Sequence, residues 1–150
     1  MANNISGFGA SVRLVASTTF PAGITITQFA DDSDPLDIPS LQIADKAMGV
    51  NGDLYTWSKA NPLPLNLSVG PDTNDDINLA ILLEANRVVK NKKSSLDDIT
   101  ISCLYPDGST ATYSGGSITD GMPGNAISSA GRLKTKTYNF AFENFSFTTK

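Results

Sequence analysis

Residues 133–147 read LKTKTYNFAFENFSF. The run alternates with a period of two. Tyr138, Phe140 and Phe142 fall on one side of an extended chain, and Thr135, Thr137 and Asn139 fall on the other. Aromatic and β-branched residues at that spacing predict a long, half-buried strand. The three aromatic rings are therefore its expected core contribution. Lys134 and Lys136 share their parity. Their charge places them, as an expectation, at a subunit interface or on an outer face, paired with acids.

Working backwards, Pro106-Asp107-Gly108 is a turn, with proline fixing φ and glycine accepting positive φ. It joins predicted strands at 98–105 and 110–113. Residues 115–131 are rich in Gly, Ser and Asn and show little periodicity. Leu63, Leu65, Leu67 and Val69 alternate over PLPLNLSV. Residues 5–15 and 24–29 also read as strands, with Phe8, Ala10, Val12 and Leu14 on one face of the first. Residues 40–44 resume the alternation, and Asn51-Gly52 marks a turn.

One segment has helical spacing, from about Asn74 to Val89. Thr73 is a suitable N-cap, with Asp76 three residues on. Asp75 and Asp76 suit the positive end of the helix dipole, and Arg87, Lys90, Lys92 and Lys93 suit the negative end. Ile77, Ala80, Ile81, Ala85 and Val88 share a face, which Leu79, Leu82 and Leu83 widen. The helix is expected to pack on a sheet. The fold class is mainly β: a β-sandwich or barrel-like domain with one packed α-helix, spanning 1–150 as one domain.

Composition narrows the function. The chain has 150 residues, 40% apolar and only 17% charged, with a net charge of −4. That balance argues against tight nucleic-acid binding, which needs a basic face. There is no histidine, so the commonest general base and metal ligand is missing. The single cysteine, Cys103, excludes an internal disulfide and sits in a strand-like run as a small buried hydrophobe. No Gly-x-Ser-x-Gly occurs, and Gly7-Phe8-Gly9 lacks the rest of a phosphate-binding loop. Nothing places two carboxylates in an apolar cleft. The expectation is a non-enzyme without cofactors. No segment is apolar enough to span a bilayer as a helix, and the start lacks a signal-peptide pattern. A soluble chain made in a cytosol is expected.

The segment between predicted strands at 24–29 and 63–69 is unusual. It carries Asp31, Asp32, Asp34, Asp37, Asp45 and Asp53, with Lys46 as the cation among them. Its acids could bind calcium. However, the order of an EF-hand loop is absent, so no metal ligand is assigned. A calcium- or ligand-binding β-sandwich module remains the alternative function.

The ordered pattern resembles the tail tube proteins of contractile-tailed bacteriophages, which are similar to the inner tube of type VI secretion systems. The resemblance rests on ISGFGASVRLV, GITIT, ADKAMGVNGDLYTWSKA and KTKTYNFAFENFSF in that order. It implies a structural virion protein of the viral tail, assembled in the host cytoplasm. Hexameric rings would stack into a hollow tube that conducts DNA during genome ejection. Subunit strands would join edge to edge into a ring-shaped inter-subunit β-barrel.

The implied partners are further copies of the chain, a tail sheath, baseplate and terminator proteins, and DNA in transient non-specific passage. The subunit itself would bind no membrane. Asp31, Asp32, Asp34, Asp37, Asp45, Lys46 and Asp53 would contact a neighbouring ring and have little order in a free subunit. Lys92 and Lys93 would receive the acids. Thr25, Thr27, Gln28, Gln42, Thr135, Thr137, Asn139 and Glu143 would face a neutral to acidic channel.

Overall fold

The computed structural model describes residues 5–149; residues 1–4 and 150 of the expected domain lie outside the described residues. Ten strands and one helix follow in chain order among them. They are β1 (Ser11–Ala16), β2 (Phe20–Ile26), β3 (Leu36–Asp37), β4 (Ala44–Met48), β5 (Leu54–Ser58), β6 (Leu63–Val69), α1 (Asn74–Asn86), β7 (Ile99–Leu104), β8 (Thr110–Asp120), β9 (Lys136–Phe142) and β10 (Asn144–Thr148). The protein is mainly β, as the alternation implied, and its strand pairs are antiparallel.

The order of pairing is β2-β1-β7-β8-β9-β6-β3, with β10 also on β8. β8 is long enough to serve two neighbourhoods. Thr110–Ser114 pair with β10 while the same stretch pairs with β7 on its other side; Ser117–Asp120 pair with β9. The sequence suggested that β8 would end near Tyr113, because glycines normally weaken a strand. Instead, Gly115 (φ 66°) and Gly116 sit at a bend where the strand passes from one half of the sheet to the other. Glu143 interrupts the last long strand opposite that bend, so the expected run 133–147 becomes β9 and β10.

The ladder also turns back on itself. After β2 the chain reaches β6: Phe29 bridges Val69, Ala30 N–H donates to Ser68 O (3.2 Å), and Gly70 N–H donates to Gln28 O (3.0 Å). Two packed halves result, closed along this seam.

The core follows the pairing rows. Ile24, Leu14, Ile101, Tyr113 and Phe145 stand side by side across five strands, as do Ile26, Val12, Cys103, Ala111 and Phe147. From the other half, Leu65, Leu67, Val69, Tyr138, Phe140 and Phe142 join the same buried cluster. Each fully buried large side chain contributes about 1.5–3 kcal/mol on leaving water, whereas Phe145 and Phe147 at the row ends stay about half exposed. Burial pushes the Cys103 thiol up to about 11, in keeping with an inert packed residue. The first predicted strand is shorter than expected: residues 5–10 are not a strand, and Phe8 is 91% exposed.

The helix starts where the sequence placed it. Thr73 Oγ1 accepts from Asp76 N–H (3.2 Å). It ends at Asn86, before the expected Val89, because Arg87 adopts extended backbone. Beyond it, Lys92 Nζ donates to Glu84 O and Arg87 O, satisfying carbonyls at the helix end. The buried face differs from the expectation. Leu79 and Leu82 enter the core, whereas Ile77 and Ile81 are about half exposed. With apolar residues around most of its circumference, the helix had no single stripe to read. Leu82→Ala should therefore cost about 2–5 kcal/mol and Ile81→Ala less than about 1 kcal/mol, measured by chemical unfolding.

Candidate assembly surface

Residues 44–58 form an arm. β4 and β5 pair from Ala44↔Ser58 to Met48↔Leu54 as a separate two-stranded sheet. The turn is the one that Asn51-Gly52 announced: Gly52 has φ 91°, and Gly49 N–H donates to Asp53 O (2.7 Å). The strand expected at 40–44 thus begins at its far end and runs on to Met48. Of residues 31–53, expected to have little order, those from Ala44 onward belong to this hairpin. At its base, Lys59 N–H donates to Ile43 O (2.9 Å), and Asn61 Nδ2 donates to Gln42 O (2.9 Å).

A two-stranded hairpin has little stability by itself. This one also exposes Ile43, Met48, Leu54, Tyr55 and Trp57, and Val50 at the turn is fully exposed. That much uncovered apolar surface on one hairpin makes it the candidate contact surface of the subunit.

The acids of this region do not act as a cluster. Asp31 binds Arg132 through two hydrogen bonds (3.2 and 3.3 Å), and the guanidinium holds its carboxyl below the usual range. Asp32 accepts from Thr135 Oγ1, and Asp37 from Asn66 Nδ2 (3.3 Å). Asp45 accepts from Lys46 N–H (2.8 Å) and lies 4.0 Å from Lys59 Nζ. Asp34 and Asp53 are exposed. Among the described residues, no group of three or more acids or thiols could hold a metal. Lys92 is engaged with the helix end, and Lys93 is exposed.

The residues expected on a channel wall divide between two faces. Thr25 belongs to a polar row with Arg13, Ser102, Thr112 and Ser146, on the outside of the half containing β2 and β10. Thr137 and Asn139 lie on the outside of the other half, opposite Ser68 and Asn66, with Thr137 Oγ1 and Ser68 Oγ 3.0 Å apart. Because the two halves share one core, these faces point away from each other. Thr135 is tied to Asp32, Gln42 lies at the arm's base, and Glu143 at the β9–β10 break. Thr27 and Gln28 follow β2 and donate their backbone N–H groups to Asp75 (2.9 and 2.8 Å).

Three buried acids have structural partners that the sequence did not reveal. Asp75 clamps the seam after β2. Asp76 Oδ1 accepts from Tyr138 Oη (2.9 Å) and lies 3.4 Å from Lys136 Nζ, while its Oδ2 accepts from Asp72 N–H (2.9 Å). Lys136 is therefore interior, 2% exposed, where a subunit interface or an outer face was expected; the expected pairing with an acid is present, through Asp76. Its parity with Tyr138 and Phe140 directs it inwards, and Asp76 makes burial tolerable. Asp97 accepts from Thr18 N–H (2.7 Å), Thr19 N–H (3.0 Å) and Asn86 Nδ2 (2.9 Å), tying the β1–β2 turn to the helix end. Burial raises its pKa, but these hydrogen bonds and that of the Thr19 hydroxyl outweigh it and hold the carboxyl well below the usual range. A local pattern could not show such partners, which come from distant parts of the chain.

The family model described as tail fiber protein gp32 matches residues 3–146. The chain belongs to this family. The membership bears out the tail-related part of the sequence expectation; an inner-tube identity is finer than it. No curated protein matches the chain.

Solved structures with this fold include the sheath/tube terminator of an extracellular contractile injection system, PVC, in its extended state. It has a TM-score of 0.58 and 14% identity, covering 99% of each chain. A component of the anti-feeding prophage baseplate gives 0.56 at 13% identity, covering 99% of this gp32-family chain and 98% of the other. The tube-terminating cap of the anti-feeding prophage gives 0.53 at 11%, covering 100% and 95%. At these identities the likeness is one of fold.

Proposed function

We propose that the chain, as one tail-tube domain, is a ring-forming structural subunit of a contractile tail. Six copies would form a ring that stacks on others to make a hollow conduit for DNA, with sheath, baseplate and terminator proteins as neighbours. The observation that carries this reading is the β4–β5 arm, a projecting hairpin with uncovered apolar side chains. It would reach the next ring, with Asp45, Lys46 and Asp53 along its polar positions. The subunit performs no catalysis in this role. The virion tail would be its destination and the host cytoplasm its place of assembly.

One channel wall can use only one of the two outer faces. It would carry either the Thr25 row or Thr137 and Asn139, not both. Both are largely uncharged, which suits a surface that DNA must pass without sticking.

A second reading, a ring that closes the end of a tube, is favoured by the likeness to the terminator and the cap. Negative-stain microscopy of concentrated protein separates the readings: long tubes support the first, single or paired rings the second, and monomers neither.

The arm gives a direct test. Val50→Asp should leave the melting temperature within about 2 °C of wild type, because the side chain is fully exposed. It should abolish ring stacking. Stacks unaffected by Val50→Asp would remove the arm from the contact. Deleting 31–38 would be a poorer test, since it removes β3, the Ser68 N–H to Pro35 O bond (2.9 Å) and the Asp31–Arg132 pair.

A further inference from the structure

The half-sheet β2-β1-β7-β8-β10 has two open borders, the outer edges of β2 and β10. Among the described residues, neither edge pairs with another strand. The edges differ. β2 carries Pro21, a residue typical of edge strands. β10 reads NFSFT, without proline or charge, and leaves Phe145 and Phe147 about half exposed on its core side. Such an edge is a template for another strand.

We propose that the β10 edge of one copy pairs with the β2 edge of a second copy, in parallel, so that the five-stranded sheet continues from subunit to subunit. This rests on the ring-forming reading above and names the strands that join.

The pairing rows fix the direction. Phe145 stands in the row of Ile24, and Phe147 in the row of Ile26, so β10 and β2 run the same way. Rotation about a ring axis preserves strand direction, and the contact is head-to-tail, as ring closure requires. Phe145 and Phe147 then continue beside the partner's Ile24 and Ile26 on the core side. Ser146 continues beside Thr25 on the polar side.

Charge supports the same register. Glu143 precedes Phe145 by two residues, and Ala22 precedes Ile24 by two. Ala22 O accepts from Arg13 Nη2 (2.8 Å), which holds the guanidinium over β2 near its open edge. Glu143 has no side-chain hydrogen bond or ion pair among the described residues. The carboxylate of one copy is thus level with the guanidinium of the next. Closing the sheet into a cylinder tilts the strands and can shift this register by a residue pair, within reach of both long side chains.

A charge exchange tests the contact in the full chain. Arg13→Glu and Glu143→Arg should each raise the concentration needed for ring formation about tenfold or more, read by sedimentation and negative-stain microscopy. The double variant restores the pair at every interface and should assemble near the wild-type concentration. A Thr25→Cys, Ser146→Cys variant should give a disulfide ladder under oxidation, and either single variant should give none; Cys103 is buried. Rings that form unchanged in both single-charge variants, or a double variant no better than they are, overturn the edge pairing while leaving ring formation standing. Wild-type protein that stays monomeric overturns the ring-forming reading and this pairing with it.

Discussion

Asp76→Ala lowers the unfolding free energy by about 3–5 kcal/mol, because it leaves the Lys136 ammonium buried without its counter-charge. The side chains of both residues are nearly inaccessible, and their charged atoms are 3.4 Å apart. Tyr138 Oη and Asp72 N–H lose their acceptor at the same time. Replacing the pair together, as Asp76→Leu with Lys136→Met, recovers most of the loss, since a buried ion pair adds little over apolar residues of similar size. Urea unfolding of Asp76→Leu, Lys136→Met and the double gives the coupling. Single losses that simply add would show that Lys136 does not depend on Asp76.

Gly116→Ala is destabilising for a steric reason. A Cβ at Gly116 would lie 2.2 Å from Phe142 Cδ1 and 2.5 Å from Ala141 O. Neither neighbour can yield. Ala141 O belongs to the backbone of β9, and the Phe142 ring is held by Tyr113 (5.5 Å between centroids) and Phe140 (6.2 Å). A loss of about 3 kcal/mol is expected, at the upper end for overpacking. Gly115→Ala should cost about 1 kcal/mol, through its positive φ and a displaced Glu143 side chain. Phe142→Leu should partly rescue Gly116→Ala but be destabilising alone. Equal unfolding midpoints for the two glycine variants would refute the steric account of the bend.

The strand alternation was legible because each strand half faces one core: Tyr138, Phe140 and Phe142 are buried where the period put them. Thr73 announced the helix start because capping is a local interaction. What failed to show depends on distant partners. The helix face was misread, since Leu79 and Leu82 face inwards only because of where β8 and the seam lie. Lys136 looked like a surface charge until Asp76, sixty residues earlier, came against it. The arm was hidden because it follows the acidic stretch that holds Pro35 and Pro39, although its turn was marked by Asn51-Gly52. The acidic residues looked like one site because they are close in sequence. The fold distributes Asp31, Asp32 and Asp37 among separate partners and sends Asp45 and Asp53 out along the hairpin.

β8 belongs to both halves of the sheet, and this governs how the molecule bears force. A pull on the C-terminus loads the Thr148–Thr110 end of the β10–β8 ladder first. Its hydrogen bonds then open one after another, like a zip, at low tension. Peeling stops at the bend, where Glu143 N–H still holds Ser114 O (3.3 Å) and β9 is flanked by β6 and β8 together. Past that point, tension must shear two ladders at once. In the isolated subunit β10 is held by one ladder and β9 by two, so tension applied beyond Thr148 opens the β10–β8 ladder before it loads the rest of the sheet.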